Sequence, residues 1–261
     1  MIVYVILKIF SSTFPELDVE NFNFRLYDKA IFYIMSAVGV GRRRIVLRMR
    51  KKRNLIPRME RCQSVWIQEP EALKGRWEKM LKTAPVHVEL GCGKGKFTAR
   101  LAEQNPNILL VAVERVPEAL VIAMERVIQS ELSNVFFISE DVAKLSEFFE
   151  AHEIQRIYIN FCDPWPGNRH AKRRLTSEPF LRIYDPLLQV GGQIHFKTDN
   201  RPLFDFSKEE MERYGYTITE LSYDLHANGP VGDMTDYEEK FWNQGIPICR
   251  LVATKEKDQN K

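Results

Sequence analysis

Between residues 159 and 175 the chain reads INFCDPWPGNRHAKRRL. A single carboxylate, Asp163, closes an apolar run, and Arg169, His170, Lys172, Arg173 and Arg174 follow within a dozen residues. Cations so grouped suit phosphates, whereas a carboxylate beside them can stabilise a developing positive charge or accept hydrogen bonds from an N–H-bearing edge. Asp199, in KTDN, and Thr235-Asp236-Tyr237-Glu238 add acids and hydroxyls further along the chain.

A second stretch, Val88-Glu89-Leu90-Gly91-Cys92-Gly93-Lys94-Gly95, sets an acid against three glycines. Glycines at Gly91, Gly93 and Gly95 let a backbone turn sharply and approach a ligand closely. Lys96 stands where a dinucleotide fingerprint needs its third glycine, and no GKS or GKT completes a P-loop. Glu89, just before the turn, would repel a pyrophosphate and suits a ligand carrying an ammonium or sulfonium group. Glu114 follows about 25 residues later, where such folds present a carboxylate to ribose hydroxyls. Asp141 ends the next apolar run and is placed for an adenine amino group. Any one of these acids alone reads equally as a solvated loop residue or helix cap. Three at successive strand ends, with the loop, do not.

The elements that position these residues are short apolar runs with helical patterns between them. Strands are predicted at Val86–Leu90, Leu109–Glu114, Val135–Ser139, Ile157–Phe161 and Gln193–Lys197, with closing strands at Tyr216–Tyr223 and Ile248–Thr254. PEALVIAMERVIQSEL begins at Pro117, a favourable first-turn residue, and places Leu120, Ala123, Met124 and Val127 on one face. SEPFLRIYDPLLQV predicts a helix kinked or ended near Pro186. Strand–helix alternation implies an α/β fold: a mostly parallel seven-stranded sheet with helices on both faces.

The 261 residues are 44% hydrophobic and 28% charged with a net charge of +3, so nucleic-acid affinity must come from local clusters. Four dispersed cysteines and five histidines without ligand spacing predict neither disulfides nor a metal site. Cys92 and Cys162 read as small apolar fillers. No apolar run reaches the ~20 residues of a membrane span, and Met1–Phe10 lacks the marks of a signal peptide, so a cytoplasmic protein is expected. Residues 1–48 read as an atypical extension, either disordered or not translated. Residues 49–74 read as a basic arm, 75–256 as the catalytic domain and 257–261 as a tail. GRRRIVLRMRKKR, residues 41–53, reads as a solvated linker or, best at Arg48–Arg53, an RNA-contacting arm.

The glycine loop and the three acids resemble a class I S-adenosylmethionine-dependent methyltransferase. NFCDPWP…RHAKRRLT, GGQIHFKTDNRPLF and MTDYEEKFWNQGIPI are more specific: they resemble the bacterial tRNA (guanine-N7-)-methyltransferase family, over about residues 48 to 255 and with every block in order. The resemblance implies S-adenosylmethionine as cofactor and a guanine in the tRNA variable loop as target. The sequence shows no sign of an obligatory protein partner and leaves monomer and homodimer both open. The resemblance carries Glu89, Glu114, Asp141 and Asp163 over as cofactor-site residues, Asp163 also as the catalytic acid. It makes Arg169–Arg174 the RNA-contacting segment, and Asp199 and Thr235–Glu238 substrate contacts. Gly167-Asn168 stand where the family often has lysines. Competing readings are an exocyclic-amine methyltransferase, on the faint likeness of Asn160–Trp165 to its motif, an inactive RNA-binding module and, least favoured, a dinucleotide oxidoreductase. Locally, Trp165 reads as core packing or as a base-stacking wall, Arg169–Arg174 also as an exposed helix start, Lys197 as a solvated strand end, and Tyr237-Glu238 also as a helix cap.

Overall fold

The computed structural model describes residues 54–258 apart from Thr83 and Asp233. The extension 1–48, the arm's residues 49–53, and residues 259–261 of the tail lie outside the described residues. In chain order the described elements are α1 (Leu55–Glu60), β1 (Trp66–Ile67), β2 (Val86–Leu90), α2 (Lys96–Gln104), β3 (Leu109–Val113), α3 (Pro117–Gln129), β4 (Val135–Ile138), α4 (Leu145–Phe148), β5 (Ile154–Asn160), α5 (Glu178–Leu187), β6 (Leu188–Thr198), α6 (Arg201–Tyr214), β7 (Thr217–Ser222), α7 (Asp236–Trp242) and β8 (Cys249–Thr254). The sheet order is β1-β4-β3-β2-β5-β6-β8-β7. Every pairing from β1 to β6 is parallel, while β8 runs antiparallel between β6 and β7. The expected seven strands are present, and the two-residue β1 adds an eighth at the edge beside β4.

That extra strand comes from the stretch expected to be a basic arm. From Leu55 onward the arm belongs to the folded body: Met59, Cys62 and Val65 are buried, and Arg58 forks onto Glu125 of α3, its Nε 2.7 Å from the carboxylate. The apolar spacing of Leu55, Met59 and Cys62 is helical, but the surrounding lysines and arginines conceal it in the sequence.

Helices cover both faces, with an apolar core on each. Leu120, Ala123, Met124 and Val127 of α3 bury one stripe against β3 and β4. On the other face Leu181, Tyr184, Phe204 and Met211 of α5 and α6 pack on Ile157, Ile159, Phe196 and Leu251. Helix α5 runs through Pro186 to Leu187, and β6 starts at the next residue, earlier than expected. The Asn200 side chain caps α6 by accepting from the Leu203 N–H at 2.9 Å, and Gly215 ends it at φ 116°. Among the described residues no helix is long and apolar enough to cross a membrane.

Candidate active site

Parallel strands bring their carboxyl ends to one edge, and β2, β3, β4 and β5 end there around a cavity of about 550 Å3. Gly91, Glu114, Asp141, Asn160, Asp163 and Trp165 line it, with Lys172 and Arg173 of the basic cluster. Residues far apart in sequence and singled out as candidates thus share one wall. Gly93, Gly95, Glu89, Asp199 and Thr235–Glu238 are not among the lining residues.

The glycines divide their work. At Gly91 (φ 76°) and Gly93 (φ 57°) a Cβ would meet nothing within 4 Å, so the loop leaves open space above its backbone. At Gly95 (φ 69°) a Cβ would lie 2.5 Å from the Cβ of Ala123. Gly95 therefore lets α2 pack against α3, and it does not line the cavity.

Glu114 is held by the loop it serves: its carboxylate accepts from the Gly93 N–H at 3.0 Å and the Val116 N–H at 2.8 Å. Each oxygen keeps a lone pair for a ligand hydroxyl. Asp141 caps the turn after β4, accepting from the Ala143 N–H at 2.9 Å, and pairs with Arg115 at 3.3 Å. Glu89 is 2% exposed, beneath the cavity floor. The Thr98 hydroxyl donates to it at 2.5 Å and the Asn160 amide reaches it at 3.5 Å. Burial drives its pKa up to about 7 against these two bonds. Thr98 belongs to no motif and Asn160 reads only as part of one, because their bonds to Glu89 appear only where α2, β2 and β5 meet.

Between an unfolded value near 4.5 and the folded value of about 7, native Glu89 holds the extra proton. Its contribution to stability is therefore full below pH 4.5 and falls as pH rises to 7, in total by about 3 kcal/mol. Urea unfolding at pH 5 and pH 8 should show that drop in the wild type and lack it in Glu89→Gln. An equal pH dependence in both proteins would refute the assignment.

The loop after β5 is bent twice into the left-handed region, at Phe161 (φ 52°) and Trp165 (φ 39°), and it carries Asp163 exposed between them. Such conformations persist only where neighbours enforce them. Phe161 stacks on Tyr237 and packs on Phe241 of α7, with centroids 6.3 and 5.9 Å apart. Trp165 is neither core nor a bare wall: it is half-buried at the cavity, with Arg173 over its ring at 5.0 Å and His170 at 6.1 Å.

Several candidates stand differently from the reading of the sequence. Lys197, read as a solvated strand end, is buried, its Nζ 3.1 and 3.2 Å from the two oxygens of Glu238. Glu238, expected at the substrate, is 0% exposed and forms a capping box with Thr235, itself buried. Asp236 begins α7, and Tyr237 next to it is 61% exposed. Asp199 is exposed at the end of β6, its pKa raised by partial desolvation. The basic segment forms a 3-10 turn, Asn168–Arg173, in which Arg169 Nε donates to His170 Nε2 at 3.0 Å. Desolvation, then Arg169 and Arg173, lower the His170 pKa. Arg174, expected on phosphate, turns its guanidinium inward to the loop carbonyls.

The cavity fits S-adenosylmethionine on chemistry as well as size. It offers open space above Gly91 and Gly93, with Glu114 and Asp141 as acceptors. Among the described residues no cluster of His, Cys, Asp and Glu could hold a metal ion.

Comparison with known proteins agrees. A family model described as "Putative methyltransferase" matches residues 83–251. The tRNA (guanine-N(7)-)-methyltransferase of Exiguobacterium sibiricum is 43% identical over 210 residues, covering 80% of this chain and 99% of that one. Its namesake from Listeria innocua is 42% identical, covering 77% and 95%, and that from Lachnoclostridium phytofermentans is 44% identical, covering 74% and 91%. Among solved structures, the 16S rRNA methyltransferase KamB superposes with a TM-score of 0.53 at 17% identity over 70% of this chain and 94% of that one, a likeness of fold. An antibiotic-related methyltransferase gives the same TM-score at 19% identity, covering 69% and 92%. The chain belongs to the tRNA (guanine-N(7)-)-methyltransferase family.

Proposed function

We propose that this protein transfers a methyl group from S-adenosylmethionine to N7 of a guanine in the variable loop of tRNA, giving N7-methylguanosine. The observation that carries the site reading is one cavity holding Glu114, Asp141 and Asp163 with Lys172 and Arg173 at the same wall. Bound there, the cofactor supplies an electrophilic methyl carbon on a positively charged sulfur. Glu114 and Asp141 hold its ribose and adenine, the Gly91–Gly93 backbone leaves room for it, and Glu89, bonded to Thr98 and Asn160, supports the loop beneath.

Guanine N7 carries a lone pair and no proton, so no general base is needed. The chain's task is alignment, which by itself supplies a large part of such accelerations. Asp163 stabilises the positive charge that grows on the purine. Asp163 or Asp199 accepts from the N1–H and N2 amine, the edge that separates guanine from adenine. Arg169, Lys172 and Arg173 hold phosphates, and exposed Tyr237 flanks the base. The protein acts in the cytoplasm, as a monomer or homodimer. Nucleoside mass analysis of tRNA incubated with enzyme and methyl-labelled cofactor tests this: the label belongs in N7-methylguanosine. Label on an exocyclic amine, or none, would overturn it.

The proposed working unit starts at Met49, where the sequence blocks that resemble the family begin. A chain beginning at Met49 should fold and methylate tRNA at a rate within about twofold of the full chain, by the scale that leaves surface changes near ±0.5 kcal/mol. Loss of cooperative unfolding or of most activity would assign residues 1–48 to the working structure.

A further inference from the structure

Arg173 and Arg174 are adjacent, alike in chemistry, and opposite in placement. Arg173 is exposed, lines the cavity and lies over the Trp165 ring. Arg174 is half-buried, and its fork is committed to the protein: Nε donates to the Pro164 carbonyl at 3.1 Å and Nη2 to the Trp165 carbonyl at 3.3 Å. The flat of the guanidinium covers Phe206 of α6 at 4.2 Å. Its own backbone is tied as well, the N–H to Ala171 O and the carbonyl to Ser177 N, both at 3.0 Å.

The loop needs such an anchor. Two of its residues, Pro164 and Pro166, have no N–H, so it cannot knit itself through its own backbone bonds. Trp165, between them, is held at φ 39°, a conformation costly for a large side chain. The two carbonyls that Arg174 holds are the ones immediately after Asp163 and at that strained residue. We propose that Arg174 is a positioning residue for methyl transfer: it fixes the Asp163–Pro166 turn, and so the Asp163 carboxylate, and does not bind RNA phosphate. The inference rests on the proposed reaction and deepens it. A lysine does not replace the residue, because an ammonium lacks the planar face that lies on Phe206 and the rigid fork that meets both carbonyls from that position.

Arg174→Lys is the central variant, since it keeps the charge. Single-turnover methyl transfer at saturating enzyme should fall at least tenfold, with tRNA affinity and its salt dependence within twofold of wild type. Arg173→Ala should instead weaken tRNA binding and reduce the slope of log K against log salt by ~0.7–0.9. Phe206→Leu, which removes the plate under the guanidinium and changes no charge, should slow the reaction in the same direction as Arg174→Lys and by less. A readout free of activity is acrylamide quenching of the cofactor-free protein, with Trp165→Phe identifying the Trp165 share of the emission. That share should be quenched more readily in Arg174→Lys. Full turnover by Arg174→Lys with unchanged quenching would overturn the positioning role, as would a salt slope reduced in Arg174→Ala and restored in Arg174→Lys. If the wild type makes no N7-methylguanosine, the reaction itself is misassigned, and the quenching result still decides whether Arg174 anchors the turn.

Discussion

Asp163→Asn should bind tRNA with the wild-type salt dependence and transfer methyl groups a hundredfold or more too slowly. The carboxylate is exposed on a turn that neighbouring residues hold in strained conformations, at the wall of the cavity and beside Lys172 and Arg173. A carboxylate repels phosphate, so its loss should not weaken, and slightly favours, the approach of the polyanion. Its work comes later, when N7 takes a methyl group and the purine becomes cationic. A fixed counter-charge at such a point is worth ~3 kcal/mol, or two orders of magnitude in rate. Asparagine keeps the shape and one accepting oxygen while removing the charge, which makes it sharper than alanine. Single-turnover rates at two salt concentrations separate chemistry from binding. A wild-type rate in Asp163→Asn would mean that alignment alone carries the reaction and that Asp163 is dispensable to it.

The parts of the site that could be read from the sequence share one property: each sits where an apolar run stops. A parallel sheet delivers all such ends to one edge, so Glu114, Asp141 and Asp163 had to converge once the runs were strands. What could not be read depends on which way a side chain leaves the backbone. Nothing in Arg173-Arg174 says that the first faces the cavity and the second the loop. The turn that ends at Arg173 decides it. Gly95 looks like its neighbours in the motif, and only the packing of α2 on Ala123 shows that it serves a helix contact. Residues 55–67 were masked by their own charge, since a helix that buries Met59 while displaying arginines reads locally as an arm. Lys197 and Glu238 are each unremarkable in sequence. Their pairing requires β6 and α7 to meet, and no local signal encodes that.

That pair carries the other large expected effect. Glu238 is 0% exposed and receives Lys197 Nζ on both oxygens, His226 Nε2 at 2.9 Å on one and the Thr235 N–H at 3.2 Å on the other. The Val231 N–H donates to His226 Nδ1 at 3.1 Å, which leaves Nε2 as the ring's donor. The network is the buried fastening of α7, supplemented at the surface by the ion pair of Lys96 with Glu239. Lys197→Met leaves a buried carboxylate without its cation, and Glu238→Gln leaves a buried ammonium without its anion while keeping a side chain that can complete the capping box. Each single change should cost about 3 kcal/mol in urea unfolding, the scale of a broken buried pair. The double variant should cost less than the two together by at least about 1 kcal/mol, because it removes both charges at once. Activity should follow stability only in part. Helix α7 holds Tyr237 and Phe241 against Phe161, two residues before Asp163, so the single variants should also methylate more slowly well below their unfolding temperatures. Strictly additive stabilities would show that Lys197 and Glu238 do not act as a pair. Full activity in destabilised single variants would show that α7 closes the fold without shaping the turn that bears Asp163.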